Sequence, residues 1–133
     1  ITASITDSGG LSATDSITLT INSGSPAPPV YVSHSANAQS NKCVDVVLTW
    51  TSPTGTDAWS QYAIGYKVYL QGDPNPQAIL GSNDPGNTSF SAPNFNNNAT
   101  RTYEVEAQFS GNFVSDRLSV TLECDKGTLN LIP

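Results

Sequence analysis

Charged side chains are scarce: Asp, Glu, Lys and Arg together make up 12% of the 133 residues, and five are basic. Those five, Lys42, Lys67, Arg101, Arg117 and Lys126, are scattered along a chain of net charge -6. Phosphate binding needs clustered Lys or Arg, so nucleic acid is excluded as a partner. There is a single histidine, His34, with no serine or cysteine nucleophile signature around it. Catalysis is therefore poorly supplied, and no catalytic residue is assigned. No His/Cys cluster suits zinc. Asp7, Asp73 and Asp84 lie in Gly/Pro/Asn loops but not at EF-hand spacing, and such residues ordinarily satisfy turn backbones. No metal or other cofactor is expected. No apolar run approaches the roughly 20 residues of a membrane span, so no membrane insertion is expected. Ile1 opens a strand-like pattern and not a basic, then hydrophobic, leader. The chain reads as a piece of a longer secreted protein.

Cysteine is limited to Cys43 and Cys124. Two isolated cysteines make a poor metal site, which leaves a single disulfide or two buried free thiols. Stretches with helical periodicity are missing as well. What the chain does have is Ser, Thr and Asn in plenty, and short segments alternating apolar and polar residues with period two, the pattern of half-buried strands.

Residues 1–22 form one such unit. Ile1, Ala3 and Ile5, then Ile17, Leu19 and Ile21, alternate with Ser and Thr around a Ser8-Gly9-Gly10 turn, predicting a β-hairpin. An isolated hairpin is marginal in water, so this one is expected to fray or to pair with a neighbour. Residues 23–29 form a Pro-rich, semi-extended linker. The main domain spans 30–125, with strands predicted over 30–35, 43–51, 64–71, 77–81, 88–92, 101–110 and 117–123. Gly, Pro, Asn and Asp clusters separate them. Residues 126–133 are left as a C-terminal tail. Seven short strands and no helix predict an antiparallel β-sandwich. Alternation places Val44, Val46, Leu48 and Trp50 inward, with Tyr66, Val68, Leu70, Tyr103, Val105, Ala107, Phe109, Leu118, Val120 and Leu122.

Three segments carry a resemblance: Val44 to Trp50, Gly65-Tyr66-Lys67-Val68-Tyr69-Leu70, and Thr102 to Phe109. Together they resemble the B, C and F strands of a fibronectin type III domain, an immunoglobulin-like seven-stranded sandwich, over about residues 30–125. The resemblance implies that Trp50 is the core tryptophan, that Tyr66 is a core residue, and that Tyr103 is the tyrosine corner, its hydroxyl bonding backbone near the E–F turn. It further implies that Cys43, starting strand B, and Cys124, ending strand G, lie at one pole and pair. Closing that loop would contribute roughly 4–5 kcal/mol on the chain-entropy model. The chain departs from the family in its Asn-rich E–F region, where Phe95 would replace a leucine, and in having the disulfide at all. The string from Ile1 to Asn22 resembles the last two strands of bacterial cadherin-like or PKD-like immunoglobulin-type repeats. Asn87-Thr88-Ser89 and Asn98-Ala99-Thr100 match glycosylation acceptors, but the bacterial look of residues 1–22 argues against their use.

In the family topology the B–C and F–G loops share a pole. That would bring Trp59, Tyr62 and Phe113 beside Asp57, Asn112 and Asp116, a candidate ligand-binding cluster. Aromatic faces beside amides and carboxylates suit sugar rings. The same aromatics could instead pack against a neighbouring domain. The expectation is a non-catalytic, extracellular spacer or adhesive module of a secreted or cell-surface protein. A carbohydrate-binding module recognising a polysaccharide, and a filament or adhesin subunit assembling by strand addition, are the alternatives. Fold alone does not choose among them.

Overall fold

A computed structural model describes residues 2–6, 12–16, 27–52, 63–81 and 88–133. Its strands are β1 (Thr2–Thr6), β2 (Ser12–Ser16), β3 (Val30–Gln39), β4 (Lys42–Thr51), β5 (Gly65–Leu70), β6 (Pro76–Leu80), β7 (Ser89–Ala92), β8 (Thr100–Phe109), β9 (Phe113–Asp125) and β10 (Thr128–Ile132). No helix occurs among the described residues. β1 and β2 pair antiparallel, Thr2 opposite Ser16 through Thr6 opposite Ser12, as a two-stranded sheet. The other eight strands form two antiparallel sheets, one ordered β3-β4-β7 and the other β10-β9-β8-β5-β6. They face each other across one apolar core, the arrangement of a β-sandwich.

The strand count corrects the seven expected for the domain. Thr128–Ile132, read from the sequence as tail, is an eighth strand paired with β9. A two-residue turn at Lys126 and Gly127, both at positive φ, reverses the chain there. Gly127 leaves no room for a side chain, because a Cβ would sit 2.6 Å from that of Ala38. The new strand covers the flank of β3, tied by His34 Nε2, which donates to the Leu129 carbonyl at 3.0 Å. The other ring nitrogen of His34 then accepts from the Tyr31 hydroxyl at 2.7 Å. Covering an edge in this way removes one template for unwanted strand pairing.

Alternation explains most of the core. Val46, Leu48, Trp50, Tyr66, Val68, Tyr103, Val105, Ala107, Phe109, Val120 and Leu122 are all buried. Leu70 and Leu118 are only partly buried, packed against that core, and Val44 is only partly covered, Cys43 taking the inward place expected of it. The cause is a β-bulge: the β3–β4 register slips between Ser35 and Asn37, and Asp45 adopts φ 52°. Asp tolerates the left-handed region, and the Asn37 side-chain amide donates to its carboxylate at 3.1 Å. One extra residue in the strand moves every side chain beyond it to the other face.

Cys43 and Cys124 are both fully buried and form a disulfide that joins the two sheets. The backbone around it fixes the Asn-rich turn. Cys43 and Phe95 exchange two backbone hydrogen bonds, and Cys124 accepts from Asn98 and donates to Ala99. Phe95 is wholly buried against Tyr103, and the Arg101 guanidinium lies 4.4 Å above its ring. Arg101 also caps the Pro93 and Asn94 carbonyls at 3.1 and 3.2 Å.

Two core tyrosines carry a pH signature. Burial raises the Tyr66 phenol above its ordinary value, partly offset by its hydrogen bond with Ser52. Burial likewise raises Tyr103, opposed by its hydrogen bond to Arg101. The folded state therefore keeps these protons to higher pH than the unfolded chain does. Their contribution is fully present below the ordinary tyrosine value of 10.0 and is lost as pH rises through the folded values. Unfolding midpoints in urea should fall as pH is raised from below the ordinary tyrosine value of 10.0 to above it. A flat midpoint across that window would contradict the burial of both hydroxyls.

Candidate functional site

Three of the six candidate ligand-binding residues, Asp57, Trp59 and Tyr62, lie outside the described residues. The other three sit at the start of β9. Asn112 and Gly111, both at positive φ, turn the chain from β8 into β9. Phe113 follows, paired in register with Phe109 and 52% exposed. Asp116 is exposed, and its backbone carbonyl accepts from the Ser115 hydroxyl at 2.6 Å. A bulge in β9 explains the turn of Ser115 inward. The register slips between Glu106 and Gln108, and the buried Ser115 hydroxyl accepts from the Ala107 N–H at 2.9 Å.

Asn112 also borders a groove of about 170 Å³ on the margin of the five-stranded sheet. Ile64, Ile79 and Leu80 supply apolar walls, while Lys67, Gln108 and Asn112 supply polar groups. Gly65 keeps the groove open because no side chain fits there. A Cβ would lie 2.6 and 2.7 Å from the carbonyl oxygens of Gly81 and Leu80. Ile79, the most exposed large apolar residue described, is 66% accessible on the edge strand β6. The sequence reading missed Ile64, Gly65, Lys67, Ile79 and Gln108 as neighbours of Asn112. Period-two alternation does put Lys67 and Ile79 on the outward side, but only the β5–β6 register sets them opposite each other.

The outer face of the same sheet carries a charged cluster. Glu104 and Glu106 stand two apart on β8 and so share one face, with Glu106 nearly buried. Arg117 covers them, its Nη1 donating to Glu104 and its Nε to Glu106, each at 3.2 Å. Its guanidinium stacks 3.8 Å above the Tyr69 ring, and Gln108 donates to Glu106 at 2.7 Å. Burial works against the Arg117 charge, but the hydrogen bonds to Glu106 and Glu104 outweigh it and raise its pKa above the ordinary value. Both carboxylates are thus bound by one arginine on a sheet face, where a pair serving glycoside hydrolysis would have to flank a substrate. Cross-strand register decides this pairing, since Arg117 lies directly opposite Glu106.

Among the described residues no group of three or more His, Cys, Asp or Glu side chains is placed to hold a metal ion. No family model matches the chain, and no curated protein matches it. Among solved structures, a family 28 exopolygalacturonase from Yersinia enterocolitica is similar, at 14% identity and a TM-score of 0.46. The likeness covers 74% of this chain and 20% of that one, so this chain corresponds to about a fifth of that protein's length. A likeness so distant carries no inference about fold or function.

Proposed function

We propose that residues 30–125 are a fibronectin type III-like module, non-catalytic, acting as a spacer or adhesive domain in a secreted or cell-surface multidomain protein. The observation that carries this reading is the strand order. The sheet β3-β4-β7, and the run β6-β5-β8-β9 within the five-stranded sheet that β10 extends, support it: they are the orders expected of A-B-E and C′-C-F-G in that family, with Trp50, Tyr66 and Tyr103 buried in the core. The inter-sheet disulfide fits an oxidising compartment. Glu104 and Glu106 are held by Arg117, and His34 bonds the Leu129 carbonyl, so these three groups are engaged in ties within the sandwich.

A second reading, a carbohydrate-binding module, is supported by the groove at Asn112. Its apolar walls beside an amide, a second amide and an ammonium have the mixed character that sugar recognition uses. One experiment separates the two: affinity electrophoresis and pull-down of the parent chain and a Lys67→Ala variant, altered in the groove wall, on soluble and insoluble polysaccharides. The spacer or adhesive reading expects neither protein to be retained. Saturable binding by the parent, lost in a variant with an unchanged melting temperature, would replace it with the carbohydrate-binding reading. Assembly by strand addition would instead give a sedimentation coefficient that rises with concentration.

A further inference from the structure

The described residues leave eight large apolar side chains exposed, and four of them share one margin of the sandwich: Val30, Val32, Leu131 and Ile132, each between 36% and 50% accessible. Val30 and Val32 open β3, and Leu131 and Ile132 close β10. The two strands lie side by side and run in opposite directions. Gly127 packs at Ala38 and Leu129 is bonded by His34, so each step forward along β10 is a step back along β3. Continued, that course brings the end of β10 to the start of β3. Val32 is the unpaired residue of a β-bulge, where the register slips between Tyr31 and Ser33. A bulge turns a side chain out of the ladder, and here it exposes a valine that ordinary pairing would not leave so open.

We propose that this margin is the docking surface for the β1–β2 hairpin of the same chain. Chain length and position favour that occupant. Ten residues, 17–26, separate the end of β2 from Ala27, and even fully extended they span about 33–36 Å. Pro29 is wholly buried, so the chain enters the sandwich from a fixed anchor immediately before Val30, at the border of the patch. The hairpin cannot stray far from that point. It also needs a partner, because a two-stranded sheet of five pairs is at best marginally stable in water. An apolar patch beside the entry point and a marginal two-stranded hairpin on a ten-residue tether suit each other. Tethering raises the effective concentration of the hairpin to the millimolar range, so a weak contact suffices. The inference does not depend on the spacer or the carbohydrate-binding reading.

The test is amide hydrogen exchange of the full chain, comparing the parent with a Val32→Glu, Ile132→Glu double variant. Docking predicts measurable protection of amides in residues 2–6 and 12–16 of the parent. In the variant these should exchange about tenfold faster or more, while β4 and β8 keep their protection. Should the charged variant lose protection in β4 and β8 as well, the milder pair Val30→Ser, Val32→Ser carries the same comparison. Hairpin amides that are unprotected in the parent, or equally protected in a folded patch variant, would overturn the proposal. Protection that grows with protein concentration would also overturn it, assigning the patch to a second copy.

Discussion

Replacing Trp50 by alanine is expected to cost about 3–5 kcal/mol of folding stability, the range for removing a large aromatic from a packed core. Trp50 is 1% exposed near the end of β4, its ring 5.5 Å from that of Tyr66 in an edge-to-face pair with 68° between ring planes. Its indole N–H has no hydrogen-bond partner among the described residues, so the loss is one of packing and apolar burial. That distinction is testable. Trp50→Phe keeps a ring against Tyr66 and should recover more than half of the loss, which a lost hydrogen bond would not allow. A domain of this size is stable by about 5–15 kcal/mol in all, so the alanine variant should melt far below the parent or fail to fold. Urea unfolding followed by far-ultraviolet dichroism gives the number. An unchanged midpoint in Trp50→Ala would remove Trp50 from the core.

The strands were legible in the sequence because burial on one face writes itself as period-two alternation. The expected 43–51 differs from β4 by one residue at its start, and 101–110 from β8 by one residue at each end. Where alternation breaks, legibility ends. The bulge at Asp45 exchanges Val44 for Cys43 in the core, and nothing in Cys43-Val44-Asp45-Val46 announces that an aspartate will adopt a positive φ. β10 escaped for a different reason. Thr128-Leu129-Asn130-Leu131 does alternate, but over only four residues before Ile132, too short a run to separate a strand from a tail. The Lys126-Gly127 pair before it was the available signal, a two-residue hairpin turn following a predicted strand.

The site was less legible than the fold. Its expected residues come from two loops whose meeting depends on topology, and Asp57, Trp59 and Tyr62 lie outside the described residues. Asn112 does border a groove, yet the groove's walls come from β5, β6 and β8, through cross-strand register that no local pattern encodes. The clamp of Arg117 on Glu104 and Glu106 is of the same kind. Two glutamates at period two are visible in sequence, but the arginine that neutralises them is eleven residues on from the second, across a turn and a bulge.

Breaking the Cys43–Cys124 bond is the other change expected to have a large effect. The bond closes a loop of 81 residues, and the chain-entropy model assigns it about 4.5 kcal/mol. Reduction of the parent protein isolates that contribution, because both sulfurs stay in place and only the cross-link is lost. With a urea slope of about 1–2 kcal/mol per molar, the midpoint should fall by about 2.3–4.5 M. The double variant Cys43→Ala, Cys124→Ala should lose slightly more, since it also empties two fully buried positions. An unchanged midpoint in a sample whose thiols are shown by alkylation to be free would sink the stabilising role. Burial adds a kinetic expectation. Both cysteines are at 0% exposure, so a reductant reaches them only when the sheets part, and the reduction rate should follow the unfolding rate. Subdenaturing urea should therefore accelerate reduction in step with unfolding. The turn over residues 95–99 should loosen with the bond, because its backbone partners are the amides and carbonyls of the two bridged residues. Faster exchange at the Phe95 and Asn98 amides in the reduced, still folded protein would tie the disulfide to the order of that pole as well as to global stability.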